Sequence, residues 1–187
     1  MNGSVSDVPE QEIIRRVTAG DTEAFRYIVE RYQGPVFAMG LRFLRNREAA
    51  EDYAQEVFLR AFRSLHTYRG DARFYSWLMR VAYHMAIDAS NGRKRDQSLG
   101  DLEPVDRART PEEQFLFRQT AASVREAMRK LPPHHAVCLD FYFFFDLRYE
   151  EISAMTGFPL NTIKSHIRRA KSHLRKSLGD STDGGTP

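Results

Sequence analysis

The sequence predicts an all-α protein built as two small helical domains joined by a flexible acidic linker. Three observations predict it. Apolar residues recur at helical spacing along most of the chain, and no alternating apolar run is bounded by hairpin turns. A tract rich in acids, Gly and Pro interrupts the helical pattern midway. With 187 residues, 42% of them hydrophobic and 12% aromatic, the chain holds enough apolar material for one medium core or two small ones.

Residues 1–9 are polar and are expected to be a flexible N-terminus. Over residues 10–19, Ile13, Ile14 and Val17 share a helix face; Gly20-Asp21 then stops that helix and caps the next. The second helix carries Phe25, Ile28, Val29 and Tyr32, and Gly34-Pro35 is expected to break it before a third helix over residues 36–44. The fourth spans residues 47–65, with Ala50, Tyr53, Ala54, Val57, Phe58, Ala61, Phe62 and Leu65 on one broad apolar face. A fifth begins near Phe74 and runs through Trp77, Leu78, Val81, Ala82 and Met85 to residue 90, closing a first domain over residues 10–95.

Residues 96–111 hold four acids and two arginines with Gly100, Pro104 and Pro111 but no helical stripe, which reads as a tether. A second domain, residues 112–178, opens with Phe115, Ala122, Val124 and Met128 on one helix. Leu131-Pro132-Pro133 ends that helix, and another is expected over residues 134–145. Residues 149–156 form a short helix, Gly157 suits a left-handed turn position, and Pro159 opens the last helix. The Ser/Thr/Asp/Gly-rich residues 179–187 are expected to be a disordered tail.

The last helix is the most informative segment. Leu160, Ile163, Ile167, Ala170, Leu174 and Leu178 form its apolar face, while Asn161, Ser165, Arg168, Arg169 and Ser172 lie opposite, with Lys164 on the edge. From residue 160 to 178 there are six Lys/Arg and no acid. Ile152, Ser153, Gly157 and Ile163 have the spacing of a helix-turn-helix core, and a helix of this length, about 28 Å, fits a major groove. An ordinary basic amphipathic surface helix would share the charge but not the turn and core spacing.

Two further features carry chemistry. On the fourth helix Asp52, Gln55, Glu56 and Leu59 fall at i, i+3, i+4 and i+7, away from the apolar stripe. An exposed leucine beside two acids and an amide suits a protein-docking patch, although a solvated face with a stray leucine has the same pattern. The segment Tyr68-Arg69-Gly70-Asp71-Ala72-Arg73-Phe74-Tyr75-Ser76-Trp77 interleaves aromatics with arginines around a Gly-Asp turn. Such loops suit unstacked bases, with rings for the base and guanidinium groups for the phosphate. Trp77 is in phase with Leu78 and Val81 and is expected in the core, whereas Phe74 fits either role. Arg73, Arg80, His84 and the cluster Arg93-Lys94-Arg95 are placed for phosphate or base edges.

Bulk properties narrow the function. The formal net charge is only +3, with a pI near 9.1, so the positive charge concentrated in the last helix implies a directed phosphate contact and not a polycation. Cys138 is the only cysteine, which excludes an intrachain disulfide and fits a buried thiol in a reducing compartment. No leader-like segment and no apolar run near ~18 residues is present, so a cytoplasmic protein without membrane insertion is expected. Of the six histidines, His134 and His135 are adjacent and point about 100° apart on a helix, with no sequence neighbour to complete a metal site. No phosphate-binding glycine loop and no nucleophile–base constellation is present, so neither an enzyme nor a cofactor is expected.

Glu51-Asp52-Tyr53-Ala54-Gln55-Glu56-Val57-Phe58, Tyr68-Arg69-Gly70-Asp71 with Phe74-Tyr75-Ser76-Trp77-Leu78, Tyr149-Glu150-Glu151-Ile152-Ser153, and Asn161-Thr162-Ile163-Lys164-Ser165 stand in order along the chain. Together they resemble the extracytoplasmic-function (ECF) sigma factors of bacterial RNA polymerase, in the sigma-70 family. The resemblance implies an alternative sigma factor that binds core polymerase and directs promoter recognition and DNA opening, in a stress or envelope response, under an anti-sigma factor. It implies that residues 10–95 serve the −10 element and core polymerase, and residues 112–178 the −35 element. Asp52, Gln55, Glu56 and Leu59 would face the clamp helices of the beta-prime subunit, with the beta flap as a further contact. The candidate −10 set is Tyr68, Arg69, Gly70, Asp71, Arg73, Phe74, Tyr75, Arg80 and His84. The candidate −35 set is Asn161, Thr162, Lys164, Ser165, His166, Arg168, Arg169 and Lys171. The chain departs from the family pattern at His84, where many relatives carry an amide, at the aromatic run 141–145, and at Arg168, which some relatives replace by an apolar residue. A stand-alone helix-turn-helix regulator is the alternative; it would dimerise on duplex DNA and leave the acidic face and aromatic loop without purpose. A sigma factor free of its partners is expected to be monomeric.

Overall fold

Four helices build the first unit: α1 (Glu10–Thr18), α2 (Phe25–Leu44), α3 (Arg47–Ser64) and α4 (Phe74–Gly92). Short 3-10 turns, Thr22–Ala24 and Leu65–Thr67, precede α2 and follow α3. The structure, a computed structural model, describes residues 8–92, 123–124 and 126–179. The tether over 96–111, the Arg93-Lys94-Arg95 cluster, residues 1–7 and 112–122, and the tail beyond 179 lie outside the described residues. The chain divides into two units between Leu102 and Glu103, and every regular element among the described residues is helical.

Local chemistry sets the helix ends. The Asp21 carboxylate accepts from the Ala24 N–H at 3.2 Å and pairs with Arg16 at 2.7 Å, fixing the corner between α1 and α2. Arg45 adopts a left-handed conformation (φ 55°) that closes α2, and the Asn46 side chain caps α3 through the Ala49 N–H at 2.8 Å.

Gly34-Pro35 does not break the chain: α2 runs unbroken through both residues, correcting the expectation of two helices. A proline inside a helix costs ~3 kcal/mol in lost hydrogen bonding and strain. Buried Phe25 and Ile28 before it and Val36 and Met39 after it lie on one face against the core. At ~1.5–3 kcal/mol per buried side chain, that burial outweighs the defect.

Helix α2 packs against both α3 and α4. At Gly40 it meets α3 closely: a Cβ there would lie 2.6 Å from Tyr53 Cδ1 and 3.2 Å from the Ala50 Cα. Tyr53 then spans the core, its hydroxyl donating to the Ala82 carbonyl of α4 at 2.6 Å, and burial pushes the phenol's pKa up. One tyrosine thereby ties three helices together.

In the second unit, residues 123–124 and 126–129 are helical, followed by α5 (Pro133–Phe143), α6 (Tyr149–Thr156) and α7 (Leu160–Gly179). Helix α5 starts at Pro133 and not after it, because proline at a first helical position has no useful N–H to lose. It also ends two residues earlier than expected, where the Leu147 N–H turns back to the Phe141 carbonyl at 2.9 Å. Within the aromatic run, Phe141 and Phe145 are buried while Phe143 and Phe144 are 59% and 68% exposed.

The helix-turn-helix has its own fasteners. The Glu151 carboxylate accepts from the Arg148 N–H at 2.7 Å, and Ser153 Oγ donates to the Phe158 carbonyl at 2.7 Å across the turn. Ile152, Ile163, Ile167 and Ala170 are buried, whereas Leu160 remains 37% exposed at the start of α7, outside the core its spacing predicted.

Because the Gly40 site has no room for a branched side chain, Gly40→Val should destabilise the first unit by about 1–3 kcal/mol. Denaturant unfolding monitored by the circular dichroism of the full chain checks this; an unchanged midpoint would mean the crossing is looser than described.

Candidate nucleic-acid interface

Packing on one side of α3 decides what its other side offers. Ala50, Tyr53, Val57 and Ala61 are buried against the core, so Asp52, Gln55, Glu56 and Leu59 all stand exposed on the outer face. Leu59 is 50% exposed. Phe62, expected in the apolar stripe, is itself 37% exposed and extends the apolar edge of this face from Leu59, while its ring packs edge-on against Phe25 at 5.1 Å. Helical spacing put Phe62 on the broad apolar face; only the structure shows the ring reaching solvent.

The loop between α3 and α4 is shaped from beneath. Phe74, included in the candidate −10 set, is fully buried, with its ring among Tyr68 (5.3 Å), Trp77 (5.3 Å) and Tyr32 (5.9 Å). A ring so enclosed has no free face for a base, so Phe74 acts here as the loop's foundation. Trp77 packs in the same cluster, 5.8 Å from Tyr68, but is only half-buried, at the margin of the core in which its phase placed it. Tyr68 is half-buried; its hydroxyl donates to the Ala72 carbonyl at 2.8 Å, spanning a turn in which Gly70 takes φ +80°. Burial, followed by the charges of Glu10 and Asp71, raises the Tyr68 pKa. Arg69, Asp71 and Arg73 are exposed around the turn, and Tyr75 is half-buried with its ring 5.8 Å from Tyr32. The Tyr32 hydroxyl in turn donates to the Glu10 carboxylate of α1. Arg80 and His84 are exposed one turn apart on α4.

On α7 the structure gathers Asn161, Thr162, Ser165, His166 and Arg169 around one concavity. Lys164 and Arg168 are exposed beside it. Lys171 is drawn to the opposite flank, its ammonium 4.6 Å from the Phe143 ring centroid and 5.5 Å from that of Tyr142. His166 turns toward α5, where it meets His135 at 4.8 Å and His134 at 6.3 Å between ring centroids. Histidine partners absent from the local sequence are therefore supplied through space, by an inter-helix contact that no helical period encodes. Among the described residues, no group of three or more His, Cys, Asp or Glu is placed to hold a metal ion. Cys138 is buried as expected, its thiol pKa pushed up to about 11 by desolvation, and its Sγ lies 3.7 Å from His166 Nδ1.

Among the described residues, no helix is long and apolar enough to cross a membrane. Residues 28–96 match the family described as sigma-70 region 2, and residues 121–174 match sigma-70 region 4. The RNA polymerase sigma-H factor of Pseudomonas aeruginosa is 31% identical, over 90% of this chain and 93% of that protein. The ECF RNA polymerase sigma-E factor of Haemophilus influenzae is 29% identical, over 90% of this chain and 95% of its own. The sigma factor RpoE from Bartonella quintana, solved in complex with the anti-sigma factor NepR, shares the fold with a TM-score of 0.61 at 16% identity, over 83% of this chain and 96% of that one. This chain belongs to the sigma-70 family of RNA polymerase sigma factors, in its ECF branch. It is a transcription initiation factor, a class of protein without catalytic chemistry of its own.

Gly157 holds the helix-turn-helix corner at φ +77°, with open space around its missing Cβ. Backbone strain alone should therefore set the cost of Gly157→Ala, about 1–2 kcal/mol, and Gly157→Asn should lose less. Thermal unfolding of both variants checks the order; equal losses would point to packing instead.

Proposed function

We propose that this sigma factor divides promoter recognition between its units. Residues 10–95 dock on core RNA polymerase and hold the separated strands of the −10 element, while residues 112–178 read the −35 duplex. The observation that carries the reading is Leu59, half exposed among Asp52, Gln55 and Glu56 on the outer face of α3. An apolar side chain ringed by carboxylates and an amide suits a protein surface of matching basic charge, and the clamp helices of the beta-prime subunit are the partner assigned to it. The exposed arginines around the Gly70 turn and the half-buried Tyr68 and Tyr75 rings support single-strand capture in the adjoining loop. The basic outer face of α7 and its concavity support duplex reading, with Asn161, Ser165 and Arg169 toward base edges and Lys164 and Arg168 toward phosphate. Contact with the beta flap belongs to the second unit in this reading.

The chain works in the cytoplasm, monomeric until it meets polymerase or an inhibitor, and serves a stress or envelope response. A relative of the same fold was solved with its anti-sigma factor, which supports control of this chain by a protein of that kind. Run-off transcription with core polymerase on a promoter library tests the whole reading and selects a cognate template. Failure to transcribe any template with polymerase present, or tight dimeric binding to duplex without it, would favour the stand-alone regulator.

Two substitutions separate the interfaces. Glu56→Arg reverses charge on an exposed helix face and should abolish association with core polymerase without unfolding the domain, as co-elution and a thermal melt will show. Arg169→Ala should weaken binding to the selected −35 element by ~1–3 kcal/mol and relax its sequence preference. An equal loss on unrelated duplexes would make Arg169 a phosphate contact.

A further inference from the structure

Reading the −35 duplex through α7 gives no work to His134 and His135, which face α7 from α5. His134 stacks nearly parallel to His166 (13° between ring planes), and the Phe158 ring meets both edge-on, at 5.1 Å from His134 and 5.5 Å from His166. His166 also lines the concavity with Arg169, and His134 and His135 back it from α5, so the three imidazoles form a histidine wall at the edge of the candidate DNA face. Burial first, and then cationic neighbours, hold two of these rings below the ordinary histidine pKa. Arg169, His134 and His173 act on His135; His135, His134 and Arg169 act on His166. From α5 the Cys138 thiol also faces His166, and it stays protonated because burial raises its pKa to about 11. Helix α6 brings Glu150 and Glu151, and neither is among the groups acting on the two rings. Near neutral pH His135 and His166 are therefore mostly uncharged, and what opposes their charging is burial and neighbouring positive charge.

We propose that this histidine wall is a second contact surface for a backbone phosphate of the promoter duplex, reached alongside α7, and that it takes up a proton as the phosphate arrives. The inference rests on α7 reading the −35 element. An anion within ~4–6 Å of these rings reverses the electrostatic balance that keeps them neutral, and an imidazolium N–H then donates to a phosphate oxygen. His135 and His166 repel one another once charged, so about one proton is taken up per complex and not two. The sign follows from linkage: proton uptake on binding makes affinity rise as pH falls. The rise begins near the pKa of the bound state and saturates below that of the free state.

The test uses the full chain with core polymerase at fixed ionic strength, on the template selected by run-off transcription and on the same template with its −35 element scrambled. Between about pH 8 and about pH 6, affinity for the intact template should rise about tenfold more than for the scrambled one. His135→Gln combined with His166→Gln should flatten that difference. Since a double substitution at a packed junction risks the fold, calorimetry on the unsubstituted chain in buffers of different ionisation heat counts the protons directly, with about one taken up expected. No proton uptake, or a pH dependence that survives in the double variant, would overturn the proposal. A −35 element that contributes nothing at any pH would instead remove α7 from duplex reading, and the histidine contact with it.

Discussion

The crossing of α2 on α3 at Gly40 is the constraint on which the first unit depends. Because the helices meet there with Ala50 and the Tyr53 ring against a bare backbone, α3 is held close by its Ala50–Tyr53–Val57–Ala61 face. Rotation of α3 about its axis would drive Tyr53 out of the core and break its hydroxyl's 2.6 Å bond to the Ala82 carbonyl. With one face so fixed, helical geometry leaves no freedom in the other. Asp52, Gln55, Glu56 and Leu59 point outward because Tyr53 points inward, so the face proposed for docking is a by-product of core packing.

The same logic carries forward into the loop that follows. Leu65 is buried at the end of α3, and Phe74 is buried at the start of α4, so the chain between them is anchored at both ends. Tyr32 of α2 links this anchorage to α1 through Glu10 and to α4 through Phe74 and Tyr75. An exposed arginine-rich turn on such a base loses less entropy on ordering around a strand than a free loop would, which favours binding without new core contacts. In the proposed reading, single-strand capture falls to the exposed and half-exposed groups of the loop, and Phe74 contributes by holding them in place.

What was legible in the sequence follows from which forces are local. The α3, α4, α6 and α7 runs could be read because their apolar residues keep one period through a whole helix, and Gly157 could be read because few other residues tolerate its φ. The outer face of α3 followed from the same period. Pro35 was misleading because its cost is local, whereas the burial of Ile28 and Val36 that outweighs it comes from other helices. Phe74 could not be assigned by spacing alone: a ring at the first position of a helix can turn inward or outward, and Tyr32, forty-two positions earlier, decides which. His134 and His135 looked isolated for the same reason, since their partner His166 approaches from another helix.

In the second unit the fold itself gathers positive charge beside the histidines of α5 and α7. Helix α7 carries six basic residues and no acid over positions 160–178, and its buried Ile163, Ile167 and Ala170 fix which side meets α5. That seating brings Arg169 and His173 to bear on His135, and Arg169 on His166, and this positive charge adds to burial in opposing protonation of the two rings. Folding alone gives no relief, because the apolar face of α7 is stabilised in only one orientation. In the proposed reading, a polyanion laid along the outer face offsets that opposition and gains direct attraction in the same step. On the same proposal, the packing that keeps the free rings uncharged thus adds to affinity for duplex, and His166 and Arg169, which line the concavity, take part in both.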